Sequence, residues 1–410
     1  MKELLLVLLI LSLFINHLNA NEKDLNIIQK DKKEYRLLEK ESIQTRQQSQ
    51  KYDWISPIDL SGNIGRNHSF SDENSRNLNN KNTKSASIGF TQSIFESGGI
   101  GFKMDYADNR FKYEMLSWEN QNSQLIYTIY NTLLDIKKLK LEIKQNDYRI
   151  INKDIELIIK KIQYEAGKTD IIELNNAIMS KNLIQKEEIA LKNSLKEKEQ
   201  ELAKYTDLKY DEIEILDFQE TNKDIFLDKN YSILEADAKV EMLNSEYKIK
   251  KSQYLPKLSL SAKASYSTQD EKFNSMINDT NKDDATSSGS LILSMPLYDY
   301  TKSSKVQESK IEVLKQKALV NDLKNETAFE YEQIFTKIDT YLKQNETINK
   351  NIKLYEELIG ANKISSEAGM TSKYDLEILE NTKTINEFDI LINKINILQQ
   401  YAKLYFKIKN

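Results

Sequence analysis

The tetrad Glu-Ala-Gly-x-Thr begins at Glu165 and again at Glu367, and this repeat constrains the fold more than any other feature. Its two glycines, Gly167 and Gly369, lie 202 residues apart in a chain of 410 residues with only ten glycines. One tetrad alone would indicate a break in a helix. Two copies at this spacing predict a duplicated structural unit.

Two further pairs of markers keep nearly the same spacing. Pro57 and Pro256 are 199 residues apart, and the segments that begin at Ser93 (SIFESG) and Pro296 (PLYDYT) are 203 apart. Each unit is predicted to run helix, strand, polar loop, strand, long helix, tetrad, helix.

The first 20 residues are predicted to be a secretory signal peptide, since Leu4–Ile15 is an apolar run too short to cross a bilayer. The remaining chain then divides into a first repeat, 21–215, and a second repeat, 216–410. An exported chain with no cysteine cannot form disulfides.

Short stretches of alternating apolar and polar residues predict two strands in each repeat. After Pro256, apolar side chains occupy positions 258, 260, 262, 264 and 266, with polar ones between them. Polar segments at about Ser69–Lys84 and Gln269–Ser287 are predicted as hairpin loops. The strands are predicted at about 55–67, 85–95, 257–268 and 288–297.

Helical periodicity fills most of the remaining chain. Gly101–Glu165 and Lys302–Ser366 are each predicted as one helix of about 98 Å. The return helices are shorter, so we expect a second short helix to extend each of them. For the C-terminal helix, about Met370–Lys407, that extension is the N-terminal helix, about Glu22–Gln50.

The tetrads are then the tight turns of two helical hairpins. Gly167 and Gly369 are predicted to take the positive φ that such a turn needs. Thr169 and Thr371 are predicted to cap the helices that follow.

Composition excludes several classes of function. A formal charge of −4 gives no electrostatic reason to expect nucleic acid. Without the signal peptide, His68 is the only histidine, so a His-based triad, a His/Cys zinc site and a Cys nucleophile lack their residues. The sequence therefore predicts no enzyme, no cofactor and no metal site.

Four strands pose a problem of closure. Their length suits a tilted strand that crosses a bilayer, where exposed strand edges are not viable, and small barrels need about eight strands. The pattern therefore favours an oligomer that pools its strands, and a trimer would supply twelve. The alternative is a small soluble sheet that caps a coiled-coil rod.

Together these features resemble the TolC family of outer-membrane factors, over essentially the whole mature chain. The segments YLPKLSLSA, after Gln253, and LSMPLYDY, after Ile292, and the two tetrad turns carry the resemblance. It implies a homotrimer with a 12-stranded transmembrane β-barrel in outer-membrane lipid, continued by a long periplasmic α-helical barrel. It also implies an exit duct for drug efflux or type I secretion in a Gram-negative bacterium.

The resemblance further implies two partners and their contact sites. A periplasmic adaptor would dock on the hairpin tips, Ala166-Gly167-Lys168-Thr169 and Ala368-Gly369-Met370-Thr371, and an inner-membrane efflux or ABC transporter would supply the energy. The family's acidic periplasmic gate matches Asp375, with Glu173 as its equivalent in the first repeat.

Two alternatives remain at this stage. Asp375 can instead be an acid in the first turn of a helix, where the helix dipole favours it. The whole chain can instead be a structural coiled-coil protein of the envelope without channel activity.

Overall fold

The computed structural model describes residues 25–69, 79–214, 216, 218, 220–270, 282–367 and 372–409. The predicted signal peptide, 1–20, and the second predicted tip, 368–371, lie outside the described residues.

The described chain is mainly helical and contains four strands, which confirms the predicted fold class. A short 3-10 turn at Leu25–Ile27 precedes the first helix. The elements in chain order are α1 (Lys30–Tyr52), β1 (Asp59–Ser69), β2 (Asn79–Phe95), α2 (Gly99–Glu165), α3 (Ile171–Leu202), α4 (Lys223–Asp228), α5 (Tyr231–Ser252), β3 (Lys257–Asp270), β4 (Lys282–Ser294), α6 (Lys302–Glu367) and α7 (Lys373–Lys407). Among these, no helix combines the length and apolarity needed to cross a membrane.

The four strands form one antiparallel sheet in the order β1-β2-β3-β4. β2 and β4 both begin six residues before their predicted starts, and β4 ends at Ser294 rather than 297. The added starts, such as Asn79–Lys84, are polar and do not alternate, but that of β2 pairs with β1 and that of β4 pairs with β3 through the backbone. Because backbone pairing needs no apolar face, alternation alone underestimated these strands.

The chain packs as two compact units, each of which draws residues from both predicted repeats. One unit comprises residues 41–115 and 235–320, and it contains the sheet. Its helical segments lie in the order α1-α2-α5-α6, the order of the strands that adjoin them. The contacts between neighbours are Arg46–Glu114 (3.0 Å), Lys112–Glu241 (2.9 Å) and the Gln316 side chain to the Ala236 carbonyl (3.4 Å).

The other unit comprises residues 1–40, 116–234 and 321–410, and it contains the described hairpin tip. Here α2 lies between α3 and α7, and α6 packs on α7. The contacts between neighbours are Lys181–Asp154 (2.5 Å), Asn381–Asn152 (2.9 Å) and Lys383–Glu356 (3.0 Å).

The predicted stacking of the N-terminal helix on the C-terminal helix is wrong. The Gln29 N–H donates to the Tyr205 carbonyl (2.8 Å), which places the start of α1 beside the end of α3. The end of α7 instead meets the link between α4 and α5, where the Lys409 N–H donates to the Lys229 carbonyl (2.8 Å). Helix lengths alone could not choose between these pairings, because both give similar total lengths.

Candidate functional site

The first hairpin tip is a Schellman turn at the end of α2. Gly167 has a φ of 72°, and its N–H donates to the Tyr164 carbonyl (2.9 Å). The Lys168 N–H donates to the Gln163 carbonyl (2.8 Å), which completes the motif. A Cβ added at Gly167 would meet no atom within 4 Å. The glycine is therefore required by its backbone conformation and not by lack of space.

Asp170, and not the predicted Thr169, caps α3. Its backbone is extended (φ −90°, ψ 171°), and its carboxylate accepts from the Glu173 N–H at 2.9 Å. An N-cap accepts from the N–H two or three residues later, so Thr169 lies one residue too early. The sequence Asp170-Ile-Ile-Glu173 has the spacing of a capping box, the signal that could have found this cap.

The two predicted gate acids lie in the first turns of the helices that leave the tips. Glu173 on α3 is exposed and forms an ion pair with Lys160 on α2 (2.9 Å). Asp375 on α7 is exposed, three residues after the N-cap Ser372, whose hydroxyl accepts from the Tyr374 N–H (3.2 Å). The gate role of both acids stays a prediction.

In the unit that holds this tip, the outer helices α3 and α6 expose apolar side chains. Before Leu202, no residue of α3 is buried, and among the described side chains of α6 none after Ile338 is buried. The exposed apolar residues of α3 are Ile171, Ile172, Ile178, Met179, Leu183 and Ile189. Those of α6 beyond Ile338 are Leu342, Leu354, Leu358 and Ile364. Both outer helices thus keep an uncovered apolar surface in the single chain.

Two carboxyl groups in this unit have shifted pKa values. Burial alone would raise the pKa of Glu330 on α6, but Lys403 (2.7 Å) and Lys407 (2.5 Å) on α7 hold that pKa below its usual value. Burial raises the pKa of Glu142 on α2, where Lys138 opposes the shift only in part. Glu330 thus links α6 to α7 through two ion pairs.

The sheet has one apolar face and one face of hydroxyl groups. Exposed apolar side chains share the first face, including Leu60, Ile64, Ile88, Tyr266, Leu291 and Leu293. The other face carries pairs of hydroxyls that lie directly opposite each other in register. These pairs are Ser61–Ser87 (2.8 Å), Thr91–Ser261 (3.1 Å) and Ser265–Thr286 (2.8 Å).

The outer edges of β1 and β4 pair with no further strand in the described part of the chain. Such edges present rows of backbone N–H and C=O groups that can pair with another strand. The sheet therefore has an apolar side, a hydrophilic side and two edges open to pairing.

We compared the chain with known protein families and solved structures. Residues 224–403 match the model of a family described as outer membrane efflux protein. The matched segment is less than half of the chain, and it agrees with the family predicted from the sequence. The match agrees with the prediction of a channel protein that is not an enzyme. No curated protein sequence matches the chain.

Solved structures of outer-membrane proteins have the same fold as this chain. The outer membrane protein VceC of Vibrio cholerae is 12 % identical, with a TM-score of 0.71, over 90 % of this chain and 91 % of that one. The CmeC outer membrane channel of Campylobacter jejuni is 13 % identical, with a TM-score of 0.70, over 92 % and 84 %. The MtrE outer membrane channel of Neisseria gonorrhoeae is 11 % identical, with a TM-score of 0.66, over 91 % and 85 %.

No group of His, Cys, Asp and Glu in the described parts of the chain could hold a metal ion. Three surfaces bear on function: the open sheet, the apolar outer helices and the hairpin tip.

Proposed function

We propose that three copies of this chain form an exit duct in the outer membrane of a Gram-negative bacterium. The observation that carries the proposal is the four-stranded sheet with one apolar face, one hydroxyl face and two open edges. In lipid every backbone polar group needs a partner, so a spanning sheet must close. Three copies would supply twelve strands, with apolar side chains toward lipid and hydroxyls toward a water-filled lumen.

The outer helices support the same arrangement. The uncovered apolar surfaces of α3 and α6 lie on opposite edges of their unit, so copies placed side by side would bury one against the other. Apolar surface gains about 25 cal/mol per Å² when it leaves water, which favours such an assembly. The helices would then form a wall that continues the duct into the periplasm.

The hairpin tips are the proposed docking sites for a periplasmic adaptor. They comprise 166–169, whose side chains are largely exposed, and the second tetrad at 368–371. An inner-membrane efflux or ABC transporter would supply the energy, because a passive duct has no source of its own. The cargo is a drug, a metal ion or a protein.

Single-particle imaging of the full chain, purified in detergent, tests the duct. We expect a hollow particle with three-fold symmetry, and conductance when the same sample is added to a planar bilayer. A monomer that stays soluble without detergent and forms no channels would refute the proposal.

Asp375 is the proposed acid of the periplasmic gate, with Glu173 in the equivalent position. Glu377 is a matched control, because two residues along a helix place it on a different face, about 200° away. We expect Asp375→Asn to weaken cation selectivity in bilayer recordings while Glu377→Gln leaves it unchanged. Equal effects of both variants would mean that Asp375 serves only the helix dipole.

A further inference from the structure

Equivalent residues of the two repeats are separated by constant offsets in residue number. These offsets relate the strand pairs of one repeat to those of the other. The turn before β1 and the turn before β3 share one bond pattern, Ile55 N–H to Tyr52 carbonyl and Leu255 N–H to Ser252 carbonyl, at an offset of 200. The segments that end β2 and β4 are offset by 203. These offsets convert the pair Leu60–Ile88 of the first hairpin into Leu260–Leu291.

Leu260 does lie opposite Leu291 in the second hairpin. The two offsets, taken from segments outside the residues that pair between β1 and β2, therefore reproduce a register that they did not include. The same offsets can then be applied to the one joint between the repeats, β2 with β3, to obtain its equivalent.

The equivalent of the β2–β3 joint would join β4 to β1, which are the two open edges of the sheet. We propose that β4 of one copy pairs antiparallel with β1 of the next copy, with Ser294 directly opposite Ser61. This follows from Thr91 opposite Ser261, since the offsets convert Thr91 to Ser294 and Ser261 to Ser61. The proposal rests on the proposed function and adds to it the residues and register of the contact between copies.

The side chains match in this register. Thr91 and Ser261 form a hydroxyl pair at 3.1 Å, and Ser294 with Ser61 restores a hydroxyl pair on the same face. On the apolar face, Phe90 lies opposite Ala262, and the offsets convert this large–small pair to Leu293 opposite Gly62.

Other registers lose this match. A slip of one residue would bring the apolar face of β4 to the hydroxyl face of β1. A slip of two residues would place Ser61 opposite Ile292, whose side chain cannot hydrogen-bond, or opposite Pro296, which has no backbone N–H to donate.

The turn after β4 gives an independent sign of a neighbour at this edge. Leu297 and Tyr298 are 91 % and 85 % exposed, whereas their equivalents Ile94 and Phe95 are 49 % and 52 % exposed. The first-repeat turn is held by the second repeat, because the Ser97 hydroxyl donates to the Pro256 carbonyl (2.7 Å).

The same offsets convert Ser97 to Tyr300, which is 86 % exposed, and Pro256 to Ser56. Pro57, which is 199 residues before Pro256, lies one residue after this equivalent position. The second turn therefore lacks in one chain the cover that its equivalent has. We expect the Ser56 segment of the next copy to supply that cover, beside Tyr300.

Cysteine cross-linking tests the register directly, because the chain has no native cysteine. Directly opposite Cα atoms are about 4.5–5.5 Å apart, within the disulfide range of about 4.4–6.8 Å, whereas diagonal neighbours are about 7–8 Å apart. Within one chain, the residues opposite each other across the sheet from Ser61 are Ser87, Ser265 and, on β4, Thr286. Ser294 lies eight residues further along β4 than Thr286, so it is far from Ser61 of the same chain. Any S61C–S294C disulfide must therefore join two copies.

We expect the S61C/S294C double variant of the full chain, oxidised in detergent, to give a covalent trimer on a non-reducing gel. The matched S61C/I292C variant, with its second cysteine moved by two residues, should stay uncross-linked. Native mass spectrometry of the cysteine-free protein is run beside them to report the number of copies.

The outcomes distinguish failure of the proposed register from failure of the proposed duct. Cross-linking of S61C/I292C instead would overturn the register and leave β4–β1 closure standing. A trimer in which neither pair cross-links would likewise overturn the register. A monomeric cysteine-free protein would refute the proposed duct and this joint together.

Discussion

Replacing Gly167 with valine should loosen the first hairpin tip without a steric clash. The glycine has a φ of 72°, and an added Cβ would meet no atom within 4 Å. The effect of valine is therefore backbone strain alone, because an L-residue in the left-handed region costs about 1–2 kcal/mol. Asparagine tolerates this region, so Gly167→Asn is the matched control.

That strain predicts a measurable change in the tip. The protein can relieve it only by opening the turn, which breaks the hydrogen bond from the Lys168 N–H to the Gln163 carbonyl. A difference of about 1–2 kcal/mol raises the open population by about 5–30-fold. We expect the Lys168 amide to exchange its hydrogen faster by this factor in Gly167→Val, after correction for intrinsic rates, and to change little in Gly167→Asn.

The same two variants test whether the tip is needed for transport. If an adaptor docks on residues 166–169, Gly167→Val should reduce cellular efflux of a fluorescent substrate while the trimer on a gel is unchanged. Equal exchange of Lys168 in both variants would refute the strain argument. Loss of the trimer in Gly167→Val alone would mean that the tip is needed first for assembly.

Two further changes have effects that follow from single contacts. Asp170→Ala removes the N-cap of α3 and should lower its local stability by about 1 kcal/mol, seen as faster amide exchange at Glu173, whereas Asp170→Asn should restore most of the protection. Glu330→Gln should lower the thermal midpoint near pH 7, because the folded-state pKa of Glu330 is depressed by Lys403 and Lys407. That stabilisation is complete above the unfolded pKa of about 4.5 and is lost as pH falls through the lower folded pKa. The thermal midpoints of the unchanged protein and of Glu330→Gln should therefore converge in acid. A difference between them that does not change with pH would contradict the assignment.

The sequence predicted the elements of the fold because their signals are local. Alternation after Pro256 identified β3, and long stretches without proline identified α2 and α6. The tip glycine Gly167 was predicted from a repeated tetrad together with the need for a positive φ, which the structure has.

What the sequence did not predict depends on contacts between distant residues. The polar start of β2 is a strand because β1 lies beside it, and nothing in Asn79–Lys84 alone indicates this. The neighbour of α1 is set by one backbone bond between Gln29 and Tyr205, which no periodicity reveals. The cap of α3 is different, since the spacing of Asp170 and Glu173 was readable and Thr169 was preferred only because it belongs to the tetrad.

The internal repeat also explains why a single chain is incomplete. Within one chain, the joint between the repeats covers the turn after β2, and the matching turn after β4 stays open. The same asymmetry recurs at α6, where no described side chain beyond Ile338 is buried. A helix gains most of its stability from packing an apolar face, and in one copy this half of α6 packs on α7 without fully burying any described side chain. We therefore expect the distal half of α6 to gain further protection from amide exchange when copies associate, so that its stability depends on assembly.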